Sequence, residues 1–359
     1  LSKDNPDRDY GDTNIHVKGN VDIDAIGVGL QANQRGHIIV DGGGRIITHP
    51  LETSDTYSVV AEEGDVYVNA GSDGKHPGSK ELVAVGNVGL IDKDYGRDPN
   101  HNEEPTNVGL AFTTPNSSLT GAVLNEYAES NKNPYNSGAD IYLQNGATWN
   151  NEWIGMERPT PKKERPSGDN AAYLYKGSKV RNLVGGVNPT AAGNIHPIDA
   201  RPITIQNYSG YVNAIYKSGV PASEVGKGQI VVEHAADNSH ITVQGDHSGN
   251  TINDASYKKE IQALANKLQY TGNDKKLSTT VQINEGITSP GAVAELGANH
   301  FDAQGHLVVD DTTKIARGSE SSLVGGTKSA LTSTVMAWKN NTNDLQRRLG
   351  DLRLANTNQ

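Results

Sequence analysis

A short β-prone run that returns along most of the chain, nearly always ending on a turn residue, constrains this sequence more than any other feature. It occurs as "NIHVKG" (14–19), "GHIIVDGG" (36–43), "GDVYVNAG" (64–71), "ELVAVGN" (81–87), "ADIYLQNG" (139–146), "RPITIQN" (201–207), "GQIVVEH" (228–234) and "SHITVQG" (239–245). Each run is rich in Ile, Val, Tyr or Thr, and all but "GQIVVEH" stop at Gly or Asn, the pattern of short strands closed by turns. Period-two alternation puts the aliphatic residues of each run on one face, which must be buried. The helical periodicity that βαβ units require is missing between the runs, so a doubly wound sheet is disfavoured. A sandwich or barrel and a solenoid of stacked coils remain. The spacing is too irregular to give a repeat period. A solenoid tolerates that irregularity, because loops of unequal length can leave its coils without disturbing the stack. "GSDGKHPGSK" (71–80) and "GMERPTPKKERPSGDN" (155–170) read as such loops.

Composition narrows the choice further. Among 359 residues there are 40 Gly and only 2 Phe, so large core anchors are scarce and thin repeated layers of small and β-branched residues are expected. There is no cysteine, which excludes disulfides, Fe–S clusters and Cys-based zinc sites. A net charge of −10 argues against a general binder of nucleic acid or anionic membrane. The opening "LSKDNPDRDYGD" has no apolar core of a signal peptide, and no stretch approaches the roughly 20 apolar residues of a membrane helix.

Two segments break the β pattern. In "SYKKEIQALANKLQYTG" (256–272), Tyr257, Ile261, Leu264, Ala265 and Leu268 share one helical stripe and Gly272 is a suitable stop, so a docked helix is expected near 256–271. Toward the C-terminus Leu331, Val335, Trp338, Thr342, Leu345, Leu349 and Leu352 alternate spacings of four and three, a heptad seam with one polar step. A helix of about 25 residues is about 38 Å long. That exceeds the ~30 Å of bilayer hydrocarbon, so it could thread a pore; a coiled-coil or docking helix is the plainer reading.

Three stretches in order resemble the C-terminal part of passenger domains of monomeric, pertactin-like autotransporters, the type V secretion family. They are "DIYLQNGATWNNEW" (140–153) with "GSKVRNLVGG" (177–186) and "PITIQNYSGYVNAIY" (202–216), then "EIQALANKLQYTGNDKKLSTTVQINEGITSP" (260–290), then "VMAWKNNTNDLQRRLGDLR" (335–353). The similarity covers roughly 116–359. It implies an all-β fold, a right-handed parallel β-helix with a short helical insertion and a C-terminal amphipathic helix. It also implies an autochaperone region that folds first, and display at the cell surface. The expected divisions are a stalk with long loops over 1–135, a C-terminal β-helix and autochaperone region over 136–318, and a linker over 319–359. In that linker Leu331, Val335, Trp338, Leu345, Leu349 and Leu352 would serve secretion. By the same resemblance a signal sequence would precede Leu1 and an outer-membrane barrel would follow Gln359, so a passenger piece of a longer protein is expected. Trp149 and Trp153 would cover an end or side of the stack and shield backbone edges, against the plainer reading of ordinary core aromatics.

Candidate chemistry is sparse. In "DKDYGRDPNHNE" (92–103), Asp92, Asp94, Asp98, Asn100 and Glu103 occupy positions 1, 3, 7, 9 and 12 of an EF-hand-like calcium loop. Arg97 stands where the turn glycine belongs and Pro99 stiffens the middle, so a solvated acidic loop competes with a calcium site. His234, His240, Asp246 and His247 crowd together in sequence but match no zinc spacing. "GDHSG" (245–249) resembles a serine-protease loop only superficially, and no GxSxG elbow occurs. "DGGGRI" (41–46) lacks the Lys-Ser/Thr of a phosphate loop and reads as a turn between coils.

The expectation is therefore a non-catalytic surface passenger in adhesion or self-association, partnered by its own barrel and by a like surface, a host protein or a glycan, with no nucleic acid. A carbohydrate-active β-helix enzyme, needing convergent carboxylates in one groove, and a spacer for an upstream effector are the alternatives.

Overall fold

In the computed structural model the described residues are 13–50, 56–92, 105–129, 136–155, 175–216, 228–246, 254–285 and 290–318, with helical backbone also at 333, 334 and 336. The chain is mostly β, and successive strands are dealt in rotation to three sheets. The first circuit runs through β1 (Thr13–Val17), β2 (Val21–Ile26) and β3 (Val28–Asn33). The second uses β4 (Gly36–Val40), β5 (Gly44–His49) and β6 (Tyr57–Glu62), and the third β7 (Asp65–Val68), β8 (Leu82–Val85) and β9 (Asn87–Leu90). The fourth uses β10 (Asn107–Phe112), β11 (Ser118–Thr120) and β12 (Val123–Asn125), followed by the short α1 (Glu126–Glu129).

From there, among the described residues, each circuit has two strands. They are β13 (Gly138–Leu143) with β14 (Thr148–Asn151), β15 (Ser178–Val184) with β16 (Gly193–Pro197), and β17 (Ile203–Ser209) with β18 (Tyr211–Ile215). Next come β19 (Ile230–Ala235) with β20 (Ser239–Asp246), then, after α2 (Asp254–Ala265), β21 (Leu268–Tyr270) with β22 (Leu277–Asn284). Finally β23 (Ala292–Leu296) and β24 (Ile315–Arg317) extend the second sheet.

Among the described residues the first sheet holds nine strands (β1, β4, β7, β10, β13, β15, β17, β19, β21), the second eleven (β2, β5, β8, β11, β14, β16, β18, β20, β22, β23, β24) and the third four (β3, β6, β9, β12). Every pairing up to β22 is parallel. At roughly 4.8 Å per pairing, the first sheet is about 38 Å from its first strand to its last. Such long parallel sheets, fed in rotation, are consistent with a solenoid.

In-register pairing explains why the short runs suffice. Ile46, Ala84, Leu119, Trp149, Ile195, Ala214, Val243, Val281 and Ala294 are consecutive partners across the second sheet, and all are buried. In the first sheet Val40, Val68, Leu110, Ile141, Leu183 and Tyr208 form a second column. Each inward residue thus lies on its counterpart one strand away, so a core is assembled without large anchors. The corners between sheets need very close backbone approach. A Cβ on Gly43 would lie 1.9 Å from the Glu81 carbonyl oxygen, and one on Gly44, at φ +110°, 1.9 Å from that of Val21. This accounts for "DGGGRI" as a corner between β4 and β5.

Several expectations need correction. The helix near 256–271 ends at Ala265, and Leu268 belongs to β21. Leu268 there continues the buried column of Ile203 and Ile230, and a strand pairing outweighs one more helical turn. Tyr257, Ile261 and Ala265 of α2 are fully buried against Val281, Ile283, Ala294 and Leu296. The stack also departs from wholly parallel pairing: β23 and β24 are antiparallel. Together with α2 and the segment around Phe301 and Leu307 they close the C-terminal end. Across residue 135 the first sheet is continuous, since β10 pairs with β13 over six residues, and among the described residues β12 is the last strand of the third sheet. The loop 71–80 does not leave the stack but folds back onto the outer face of the first sheet. There the Tyr142 hydroxyl donates to the Gly74 carbonyl at 3.1 Å.

The linker positions Leu331, Val335, Trp338, Leu345, Leu349 and Leu352 lie outside the described residues. Among the described residues no helix is long and apolar enough to cross a membrane.

Candidate functional site

Pairing in register stacks polar residues outside as it stacks apolar ones inside. On the outer face of the first sheet this produces a hydrogen-bonded ladder from β4 to β17. His37 Nδ1 donates to Asp65 Oδ2 at 2.9 Å, and Asn107 Nδ2 donates to Asp65 Oδ1 at 2.8 Å. Arg181 Nη1 reaches Asn107 Oδ1 at 2.8 Å, while its Nε and Nη2 grip Asp140 Oδ1 and Oδ2 at 2.9 and 2.7 Å. Asn182 Nδ2 donates to Asp140 Oδ1 at 2.6 Å, and Asn207 Nδ2 to Asn182 Oδ1 at 3.1 Å. The Arg181–Asp140 pair is the anchor, bidentate and only 14% and 9% exposed.

From β13 onward the ladder, extended in register by His234 of β19, becomes the floor of a groove of about 460 Å³. Asp140, Asn182, Asn207 and His234 are partners on consecutive strands β13, β15, β17 and β19. Beside that polar file runs a less polar one, Tyr142, Val184 and Ser209. The loop 71–80 forms a wall and brings Lys75 to the rim. Buried Asn69, at φ +54°, pins the base of this loop: its Nδ2 donates to the carbonyls of Lys80 and Ala111, both at 2.9 Å. Gly74 packs on the Tyr67 ring, where a Cβ would come within 2.7 Å. Burial, with Asp65 nearby, pushes the Tyr67 hydroxyl above its ordinary value. Among the described residues the groove lining holds one carboxylate, Asp140, and both of its oxygens already accept hydrogen bonds.

The outer face of the second sheet carries a different network. His240 Nδ1 and Nε2 lie 2.7 Å from Ser278 Oγ and Thr280 Oγ1, and Thr280 donates to Glu295 Oε2 at 2.7 Å. Glu295 only accepts, so the Thr280 proton points to it and the Thr280 oxygen accepts from His240 Nε2–H. Nδ1 is then left to accept from Ser278. Burial lowers the His240 pKa against the opposing pull of Glu295, in keeping with a neutral ring.

The residues singled out in the sequence are dispersed. His234 lies on the first sheet, His240 on the second, and Asp246 accepts from Asn284 at 3.0 Å; His247 is outside the described residues. Strand alternation and the corner between β19 and β20 separate them. Of the calcium-loop residues only Asp92 is described, its backbone N–H donating to Glu126 Oε2 at 3.0 Å; Asp94, Asp98, Asn100 and Glu103 lie outside. Among the described residues no three His, Cys, Asp or Glu side chains gather as a metal site.

Trp149 does not cover an end or a side. It is fully buried inside the stack, donating its indole N–H to the Gly121 carbonyl at 2.9 Å. Trp153 does lie on a flank, stacked on Tyr175 at 4.8 Å and edge-on to Tyr57 at 6.4 Å over the outer side of the third sheet.

Of the groove residues the sequence singled out only His234, and that as a metal candidate, although a signal for the others exists. Asp140, Asn182, Asn207 and His234 each immediately precede an inward residue of the same column, Ile141, Leu183, Tyr208 and Ala235. Aligning "ADIYL", "RNLV", "QNYS" and "EHAA" on those inward residues reveals the polar file. The chain matches no protein-family model, no curated protein and no solved structure in comparisons with each.

Proposed function

We propose that this chain is a right-handed parallel β-helix of the autotransporter-passenger kind, displayed at the cell surface and working without catalysis in adhesion or self-association. The observation that carries this reading is the outward polar ladder from His37 to Asn207, continued at His234 as a file beside it. A face that repeats amide, carboxylate and imidazole groups at about 4.8 Å offers many weak hydrogen bonds in one line, and such contacts combine multiplicatively when one partner engages several. The closed C-terminal end supports the accompanying role in folding. A finished end built from α2, β22 and β23 is a template on which further circuits can be laid, as a chain emerging from a pore C-terminus first would require. Residues 319–359 are assigned to the link with the outer-membrane barrel.

Sedimentation velocity on the whole chain over a hundredfold concentration range tests the reading, with parallel assays of a polysaccharide panel. Self-association, or retention of a polysaccharide without chain cleavage, is expected. Turnover of any polysaccharide would replace this reading with the enzymatic one. Neither association nor retention would leave only a spacer.

A further inference from the structure

The groove over β13, β15, β17 and β19 combines three features that define what it can hold. Its floor is linear: Asp140, Asn182, Asn207 and His234 follow the stack axis for three pairings, about 14 Å. That length matches a short run of linked rings better than one small molecule. Its cross-section is amphipathic. The polar file lies beside Tyr142 and Val184, so a ring can set its hydroxyls on one side and its C–H face on the other. Its charge is one-sided. Arg181 neutralises Asp140 in a closed bidentate pair, whereas the Lys75 ammonium, on an exposed rim, makes no ion pair with a described residue.

The wall that carries Lys75 is also held in place before any ligand arrives. Tyr142 holds the loop near its middle and Asn69 holds its end at Lys80, and Asp73 Oδ1 accepts from the Lys75 backbone N–H at 3.0 Å. The floor is equally fixed, since the Asn207, Asn182 and Asp140 side chains orient one another. Such pre-ordering removes much of the entropic cost of binding.

We propose that this groove binds a linear oligosaccharide bearing carboxylates, laid along the stack with an acid group at Lys75 and ring hydroxyls on Asn182 and Asn207. The proposal deepens the adhesive reading and rests on it for its biological setting, but the groove can be tested apart from self-association. The chain as a whole is acidic, with net charge −10, so attraction is local to the rim and fades within a Debye length of about 8 Å at physiological salt.

Isothermal titration of the full chain with a galacturonic acid hexamer provides the test, against a neutral glucose hexamer of equal length and a glutamate hexapeptide. The acidic saccharide should bind at least tenfold more tightly than either control. Lys75→Ala should weaken it about tenfold, the effect of losing one favourable contact of about 1.4 kcal/mol. Asn207→Ala should weaken both saccharides, and neither exposed substitution should alter the circular dichroism spectrum. Equal binding of the neutral hexamer overturns the role of charge, and equal binding of the peptide overturns the role of the sugar ring. No binding, or binding indifferent to both substitutions, overturns the site. Absence of hexamer binding alongside sedimentation-detected self-association would reject the groove and leave the adhesive reading standing, while the reverse would reject only self-association.

Discussion

At the residue scale, the same column position can demand very different side chains. Trp149 lies between Leu119 and Ile195 in the second sheet, in a column that also accepts Ala84 and Ala214. Its side chain is fully buried, and its indole N–H satisfies a buried carbonyl. Trp149→Ala should therefore lower the unfolding free energy by about 3–5 kcal/mol, read as a fall in urea midpoint; a loss under 1 kcal/mol would mean the stack closes over the gap. Asp140→Ala strands a largely buried guanidinium and is expected to cost about 3–5 kcal/mol. A double variant that replaces both partners with apolar residues should recover much of that loss, which a double-mutant cycle would read. For His240, burial places the folded pKa below 6.5. The folded form consequently resists the proton, and stability should decline as pH falls below 6.5 toward the lower folded value. Nitrogen-15 chemical shifts should show a neutral ring carrying its proton on Nε2; an imidazolium at pH 6.5 would contradict this.

At the element scale, ends matter more than middles. A parallel edge exposes unpaired backbone groups and invites further pairing. At the C-terminal end this chain turns the last strands antiparallel and lays α2 beside them, burying Tyr257, Ile261 and Ala265. Ile261→Ala removes the middle of that stripe and should cost about 2–4 kcal/mol. Hydrogen exchange should then quicken in β21, β22 and β23 while β7 and β10 stay unchanged. Equal acceleration everywhere would show that the cap and the remote strands unfold as one unit. The loop 71–80 shows the other way an element gains order, through side chains beneath it: buried Asn69 binds both backbone groups of Lys80 and ties them to the Ala111 carbonyl of β10, and Tyr142 holds Gly74.

At the scale of the whole molecule, each circuit touches mainly its neighbours, so stability accumulates pairwise along the stack. The described ends are unequal. Ile15 is 52% exposed although its partner Ile38 is buried, and Ile26 is 67% exposed, while at the other end Val281, Ile283, Ala294, Leu296 and Leu307 are buried under α2 and its neighbours. Native-state hydrogen exchange should accordingly show β1–β3 opening first and protection rising toward β13–β22. A single cooperative opening with uniform protection would exclude this graded picture. Lower pH acts on the flank as well. Burial works against Asp199, yet the hydrogen bonds from Arg201 prevail and keep it below 3.8, so its contribution is complete above that value and is lost as pH falls through the folded one.

Alternation within single strands was legible in residues such as Ile38 and Val40 or Ile203 and Ile205, because the pleat alone decides which side chains share a face. Turn chemistry was legible too: Asn145 and Gly146 sit at φ +55° and +81°, as the "NG" after "DIYLQ" implies. The stripe of α2 could be read from its period, but not its end, since Leu268 was claimed by a strand more than thirty residues away in sequence. The groove was beyond local reading altogether. Asp140, Asn182, Asn207 and His234 become neighbours only after parallel strands settle into register, and Lys75 joins them only because a loop folds back over the sheet. The sequence alone determined extended segments, their inward faces and their turns, which are short-range consequences of sterics and burial. Which segment pairs with which, and so which polar groups meet, was decided by the tertiary structure, because pairing energy depends on surfaces that exist only once the chain has stacked.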